Sequence, residues 1–268
     1  DLDLIVAAGG NEYRGQEEPM RQRAYLNGGQ GNFIRADPFP TLFMTASCVV
    51  AADFDGDSLT DFFFGGRALP WKYGLTPNSY LMKNLGDGKF EDVTQKVAPG
   101  LQEAGLVKNG TWTDLDKDGD LDLLLAMEWE PLTVFLNNGG RFEKKQLASG
   151  KGWWNFVLAH DFDGDGDLDI LAGNTGKNSR LQPSPQEPVR LYVSDFDNNG
   201  QTETILTYYL KGREIPFANH EEMMKALPML KKKHLFAKDF AQASLIDLFG
   251  KEALAKAVLR EADTFESI

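Results

Sequence analysis

The chain has 268 residues, 40 acidic against 28 basic, a net charge of −12 and one cysteine. That length supports a sizeable core, the acidity excludes the basic stripe of a nucleic-acid binder, and a lone Cys48 excludes a disulfide framework. No apolar run is long enough to span a membrane; no signal peptide is read in these residues, which is uninformative because the sequence opens inside a motif without a starting Met.

From the first residue, Asp1-Leu2-Asp3-Leu4-Ile5-Val6 matches the end of a pattern that then recurs in full. The complete copies are 53–61, 114–122 and 161–169, and a softened copy is 195–203. Carboxylates at positions 1, 3, 5 and 9 of such a loop can converge on one hard cation. Calcium takes six to eight oxygen ligands, so the expected ligands are Asp53, Asp55, Asp57 and Asp61; Asp114, Asp116, Asp118 and Asp122; Asp161, Asp163, Asp165 and Asp169; and Asp195, Asp197, Asn199 and Glu203. Position 7 would add its backbone carbonyl. Position 6 must turn sharply and favours glycine, as at Gly119, Gly166 and Gly200, with Ser58 the exception. Nearly half of the acidic residues lie in these segments. Four bound calcium ions would leave a net charge of about −4, so the acidity reads as metal chemistry. An Asp/Gly turn that binds nothing is the plainer alternative.

An EF-hand is excluded. It needs a glutamate at position 12 and flanking helices. Position 12 here is Phe64, Leu125, Ala172 or Leu206, inside short apolar runs that read as buried strands.

Each loop is expected to join two strands, 47–52 and 156–160 among the leading ones. Strand–turn–strand segments follow at 25–33, 80–90 and 134–142, with Asn and Gly supplying the positive φ of tight turns. Strand, acidic loop, strand, connector, strand, Asn/Gly turn, strand makes a four-stranded antiparallel unit. Its recurrence predicts an all-β fold, a partial β-propeller of about four to five blades, some incomplete. The Pro-rich stretch 174–188 replaces one outer hairpin.

Past Tyr209 the alternation gives way to helical periodicity over 220–233 and 236–262. Glu252 and Lys256 form an i,i+4 pair, and Leu254, Val258 and Leu259 an apolar face. The predicted organisation is blades over 1–215, a helical insertion over 216–263, and the start of another strand at 264–268. The chain reads as a segment of a longer protein whose remaining blades lie elsewhere.

The loops, with the trailing Phe64-Gly65 and Ala172-Gly173, resemble FG-GAP/VCBS repeats of the type in integrin α-subunit propellers. Tyr25-Leu26-Asn27, Gly65-Gly66-Arg67, Gly152-Trp153-Trp154-Asn155 and 173–179 are more narrowly similar to bacterial VCBS-repeat proteins associated with ASPIC/UnbV domains. The resemblance spans residues 1 to about 220 and lacks the Gly-Ala-Pro triplet. It implies an exported propeller with structural calcium, located in the periplasm, at the cell surface or outside the cell.

Catalytic signatures are sparse. His160, His220 and His234 have no zinc spacing, and His160 is expected to end a buried strand. Trp112, Trp129, Trp153 and Trp154 are core residues or rings that stack on a ligand. Asn174, Asn178, Ser179 and Arg180 contact a ligand or cap their own turns. The expected function is a non-enzymatic, calcium-stabilised scaffold for adhesion to a protein or glycan. A polysaccharide lyase or hydrolase is the alternative, with Arg67, Lys72 or Arg180 as its first basic candidates.

Overall fold

A computed structural model describes residues 2–39, 41–147 and 149–266. The chain is mostly β, in antiparallel sheets with short helices. It divides into two compact units, Asp1–Pro70 with Thr76–Thr175, and Trp71–Leu75 with Gly176–Ile268. In the second half of the chain the boundary between these units falls at 175/176.

In the first unit, β1 (Leu4–Val6), β2 (Arg23–Asn27) and β3 (Phe33–Ala36) form one sheet, and β4 (Thr45–Ala52), β5 (Asp61–Ala68), β6 (Tyr80–Asn84) and β7 (Phe90–Asp92) a second. The third sheet holds β8 (Leu106–Thr113), β9 (Asp122–Glu130), β10 (Thr133–Asn137) and β11 (Phe142–Gln146), extended by β12 (Gly152–Trp153). Among the described residues a fourth has β13 (Phe156–His160) and β14 (Asp169–Gly173) alone, and no strand follows in 174–188, as the prolines there predict.

Successive sheets pack face to face, which explains sequence runs that do not alternate. Phe63 packs with Leu123, Leu125 and Met127 between the second and third sheets. Its neighbour Phe64 points the other way, onto Phe39 and Met82 toward the first sheet. Leu124 and Ala126 join Trp154 and Val157 toward the fourth sheet. A strand with a sheet on each side is apolar at every position, and Leu123 to Met127 are all fully buried. Gly65 and Gly66 follow from the same crowding. A Cβ at Gly65 would lie 2.6 Å from Val107 Cγ1 and 2.7 Å from Cys48 Sγ, and one at Gly66 would strike the Asn78 carbonyl.

The second unit holds β15 (Val189–Ser194), β16 (Glu203–Leu210), β17 (Arg213–Pro216) and β18 (Val258–Ala262), in the order β17-β16-β15-β18. Between β17 and β18 lie α1 (His220–Ala226), a 3-10 turn at Pro228–Lys232, α2 (Ala237–Gln242), α3 (Leu245–Phe249) and α4 (Lys251–Lys256). Asn219 with Glu222, and Ser244 with Asp247, form capping boxes that start α1 and α3. Met223, Leu227, Leu230 and Leu248 pack with Ile205 of β16 and with Phe196 of the loop that precedes it.

The helical reading of 236–262 is thus corrected at its end. Helix stops at Lys256, and Val258 to Ala262 pair antiparallel with β15, from Val193↔Val258 to Val189↔Ala262. A short helix gains little by extension, whereas the edge of β15 offers a full hydrogen-bond ladder. Val258 and Leu259 therefore share no helix face with Leu254. No strand begins at 264–266, and Ser267 and Ile268 lie outside the described residues.

Candidate metal centres

Each of the four nine-residue acidic loops, the softened one included, closes an antiparallel pair in the same way. Its ninth residue always faces the last residue of the leading strand: Ala52↔Asp61, Thr113↔Asp122, His160↔Asp169 and Ser194↔Glu203.

The hydrogen bonds inside the loops repeat as well. The position-1 carboxylate accepts the position-6 N–H, at 2.7 Å from Ser58, 3.1 Å from Gly119, 3.0 Å from Gly166 and 2.8 Å from Gly200. The position-5 side chain accepts the position-7 N–H, from Leu59, Asp120, Asp167 and Gln201. The position-9 carboxylate accepts the position-2 N–H, from Phe54, Leu115, Phe162 and Phe196. Position 6 is left-handed in every copy, with φ of 99° at Gly119 and 91° at Gly166. Ser58 adopts 67° there, a conformation that glycine takes without strain.

Carboxylate oxygens converge within 4.8 Å of one another in four clusters: Asp53, Asp55 and Asp57; Asp114, Asp116 and Asp122; Asp161, Asp163 and Asp169; and Asp195, Asp197 and Glu203. Asp61, Asp118 and Asp165 stand outside these sets, and Asn199 has no carboxylate to add. Position 5 holds the position-7 N–H in all four loops, with Asp57 alone of these side chains also inside a cluster. The donors are hard oxygens, and opposite ligands of a calcium ion are separated by about 5 Å. The clusters therefore fit calcium in donor chemistry and in size. Burial pushes the Asp61 and Asp122 carboxyls up, offset by their N–H donors and reinforced by the neighbouring loop aspartates. Burial does the same to Glu203. A bound cation reverses that crowding.

Sequence reasoning missed the asparagines that fasten the loops. Asn84 N–H donates to Asp61 Oδ1 at 2.7 Å, and Asn137 N–H to Asp122 Oδ1 at 2.8 Å. Asn27 N–H donates to Asp3 Oδ1 at 2.8 Å, so Asp3 is indeed a ninth-position residue. Each side-chain oxygen also accepts a turn N–H, from Gly29, Gly86 or Gly140. Fully buried Asn137 gives its amide to Phe54 O at 2.7 Å and Leu121 O at 3.2 Å, joining the second sheet's loop to the third sheet. The signal was a hydrophobic residue or lysine followed by Asn and a Gly turn, repeated three times.

The other candidates are placed as follows. Trp112 stacks on Phe54 at 6.4 Å, and Trp129 and Trp154 are buried, so these three are core. Trp153 meets Trp129 edge-on at 5.1 Å. His160 is exposed beside Phe162, which corrects the expectation of a buried strand end: that face of β13 also leaves Phe156 and Leu158 open. Burial pushes the Cys48 thiol up, away from thiolate chemistry. Arg180 lies 3.5 Å above the Phe217 ring and donates to its carbonyl, while Asn174 accepts from Trp153 and Thr175 N–H. Arg67 pairs with Glu128 at 2.8 Å. Lys72 lies in the stretch Trp71–Leu75 and is exposed.

Among the described residues, no helix is long and apolar enough to cross a membrane. Residues 114–172 match the sequence profile of the FG-GAP-like repeat. Over 97 residues the chain is 33% identical to cartilage acidic protein 1 of Mus musculus; the match takes in 34% of this chain and 14% of that protein. Among solved structures, the chain is similar to an Agrocybe aegerita lectin described as recognising non-reducing terminal N-acetylglucosamine. The TM-score is 0.40 at 15% identity, over 72% of this chain and 58% of that one, too slight a likeness to carry an argument. The profile match runs from the second acidic loop to the strand behind the third, so the FG-GAP-like repeat and two of the carboxylate clusters are one stretch of chain.

Proposed function

We propose that the chain is part of an extracytoplasmic β-propeller scaffold for adhesion or binding, held in shape by structural calcium. The observation that carries this reading is the fourfold recurrence of one loop at one register, each gathering carboxylate oxygens within 4.8 Å. Like charges that close repel unless a cation lies among them. Bound calcium would neutralise the cluster and tie the two strand ends together.

The FG-GAP-like repeat at 114–172 supports the reading, as does the packing of successive antiparallel sheets in the first unit. Kinship with bacterial VCBS-repeat proteins of the ASPIC/UnbV-associated type is part of the proposal. So are the ligand, a protein or a glycan met by connecting loops, and the absence of a catalytic role.

Melting the chain in chelator, in millimolar calcium and in equal magnesium tests the reading. Calcium should raise the midpoint strongly because it stabilises only the folded state. Magnesium should do much less, because it demands tight octahedral geometry and releases water reluctantly. Three coincident curves would overturn the structural role of calcium.

A further inference from the structure

The loop at 53–61 differs from its repeats through a residue outside it. The backbone bonds Asn27–Asp3, Asn84–Asp61 and Asn137–Asp122 set β2, β6 and β10 in one register. The residue before each asparagine is therefore equivalent: Leu26, Lys83 and Leu136. Where the other two sheets have leucine, the second has a lysine that reaches back over its own loop. Lys83 Nζ lies 2.9 Å from Asp57 Oδ2 and also donates to Asp55 Oδ2. The side chains of Lys83, Asp55 and Asp57 are 24%, 21% and 32% exposed, so water screens the contact only in part.

Two further differences coincide with it. The 53–61 cluster gathers positions 1, 3 and 5, whereas the other three include position 9. Position 6 is Ser58 where the others have glycine. The other lysine at an acidic loop, Lys117, is not equivalent: it bonds to Asp167 and to Gly166 O, neither of which supplies a clustered carboxylate.

We propose that Lys83 is a tethered counter-cation of the 53–61 loop, and that it makes this loop a weaker divalent-cation site than those at 114–122 and 161–169. The ammonium neutralises Asp55 and Asp57 from within the fold, so a divalent ion enters only by displacing it. The second sheet then keeps its loop closed at calcium concentrations that leave that loop unfilled. This rests on the calcium reading above.

The test is calorimetric titration of the whole chain with calcium, as wild type and as Lys83→Leu, the residue its own repeats carry at that register. The variant should show one site tightened by about tenfold or more, lost again on adding Asp53→Asn. Its melting midpoint in chelator should fall below wild type, and the gain on adding calcium should be larger. Lys83→Met, which keeps the apolar stem, gives the same readouts if the leucine variant folds poorly. Superimposed isotherms with equal thermal gains overturn this proposal alone. No calcium uptake by either protein overturns the calcium reading and this proposal with it.

Discussion

At the scale of single residues, Asn137 concentrates most of what holds a loop to its sheet. Its backbone N–H, its amide and its side-chain oxygen are all committed, across two sheets. Asn137→Ala keeps the backbone bond to Asp122 but removes the donor from the Phe54 carbonyl at a buried bond and from the Leu121 carbonyl at a part-buried one. A buried acceptor left unsatisfied costs about 1–3 kcal/mol, a loss that falls in full on Phe54 O and in part on Leu121 O. Asn137→Ala should therefore lower the unfolding free energy by about 2 kcal/mol or more, read from the denaturant midpoint at unchanged slope. A change within error would mean that these carbonyls find other donors. The loop carboxylates themselves were legible in the sequence because their spacing is their chemistry. Asn137 and Lys83 were not, because each acts on a loop far from it in the chain, and only strand register brings them there.

At the scale of elements, the second unit's sheet is braced by a polar network that runs across all four strands. Arg190 of β15 pairs with Glu261 of β18 at 2.8 Å and with Glu214 of β17 at 2.8 Å, and donates to Tyr209 of β16 at 3.0 Å. Glu214 also accepts from Tyr192 at 3.2 Å and from Thr207 at 2.6 Å. Burial, with the Glu214 carboxylate next, pushes the Tyr192 phenol up to about 12 from its ordinary 10.0. A group with a raised folded pKa contributes stability that is complete below its unfolded value and is lost as pH rises through the folded one. Thermal stability should therefore fall between pH 10 and about 12, and fall less steeply in Tyr192→Phe. Parallel alkaline slopes would remove Tyr192 from the cause. This sheet also marks where sequence periodicity failed. Helix formers through Ala257 predict helix, but β18 forms because β15 has an edge to fill, and that edge belongs to residues 65 positions or more upstream of Val258. The apolar runs of β5 and β9 were legible as strands. That each lies between two sheets was not, since only the stacked neighbours explain why both faces are apolar.

At the scale of the whole chain, a net charge of −12 concentrated in a few loops makes stability depend on salt, with a sign set by the cation. Without divalent ions the loops repel themselves and one another. Raising ionic strength to physiological level shortens the screening length to about 8 Å and should raise the melting midpoint in chelator. With calcium bound the repulsion is already answered, and the same salt should change little. A chelated chain that loses stability as salt is added would show that its attractive ion pairs outweigh loop repulsion.

Trp71–Leu75 belongs to the second compact unit although the first unit claims the residues on both sides of it. Gly74 sits where a side chain would strike Leu191 and Val193, and its carbonyl accepts from Arg260, 186 residues later. As the ribosome releases the chain, this strap emerges long before the sheet that receives it. The first unit can assemble around its own strands while those five residues wait as an open loop, and the second cannot be complete until Arg260 is made. Closing so long a loop is an entropic cost that falls on the final step. Synthesis thus interleaves the two units: a cut at 175/176 would divide the sequence and leave the later-born unit without a piece that was synthesised first.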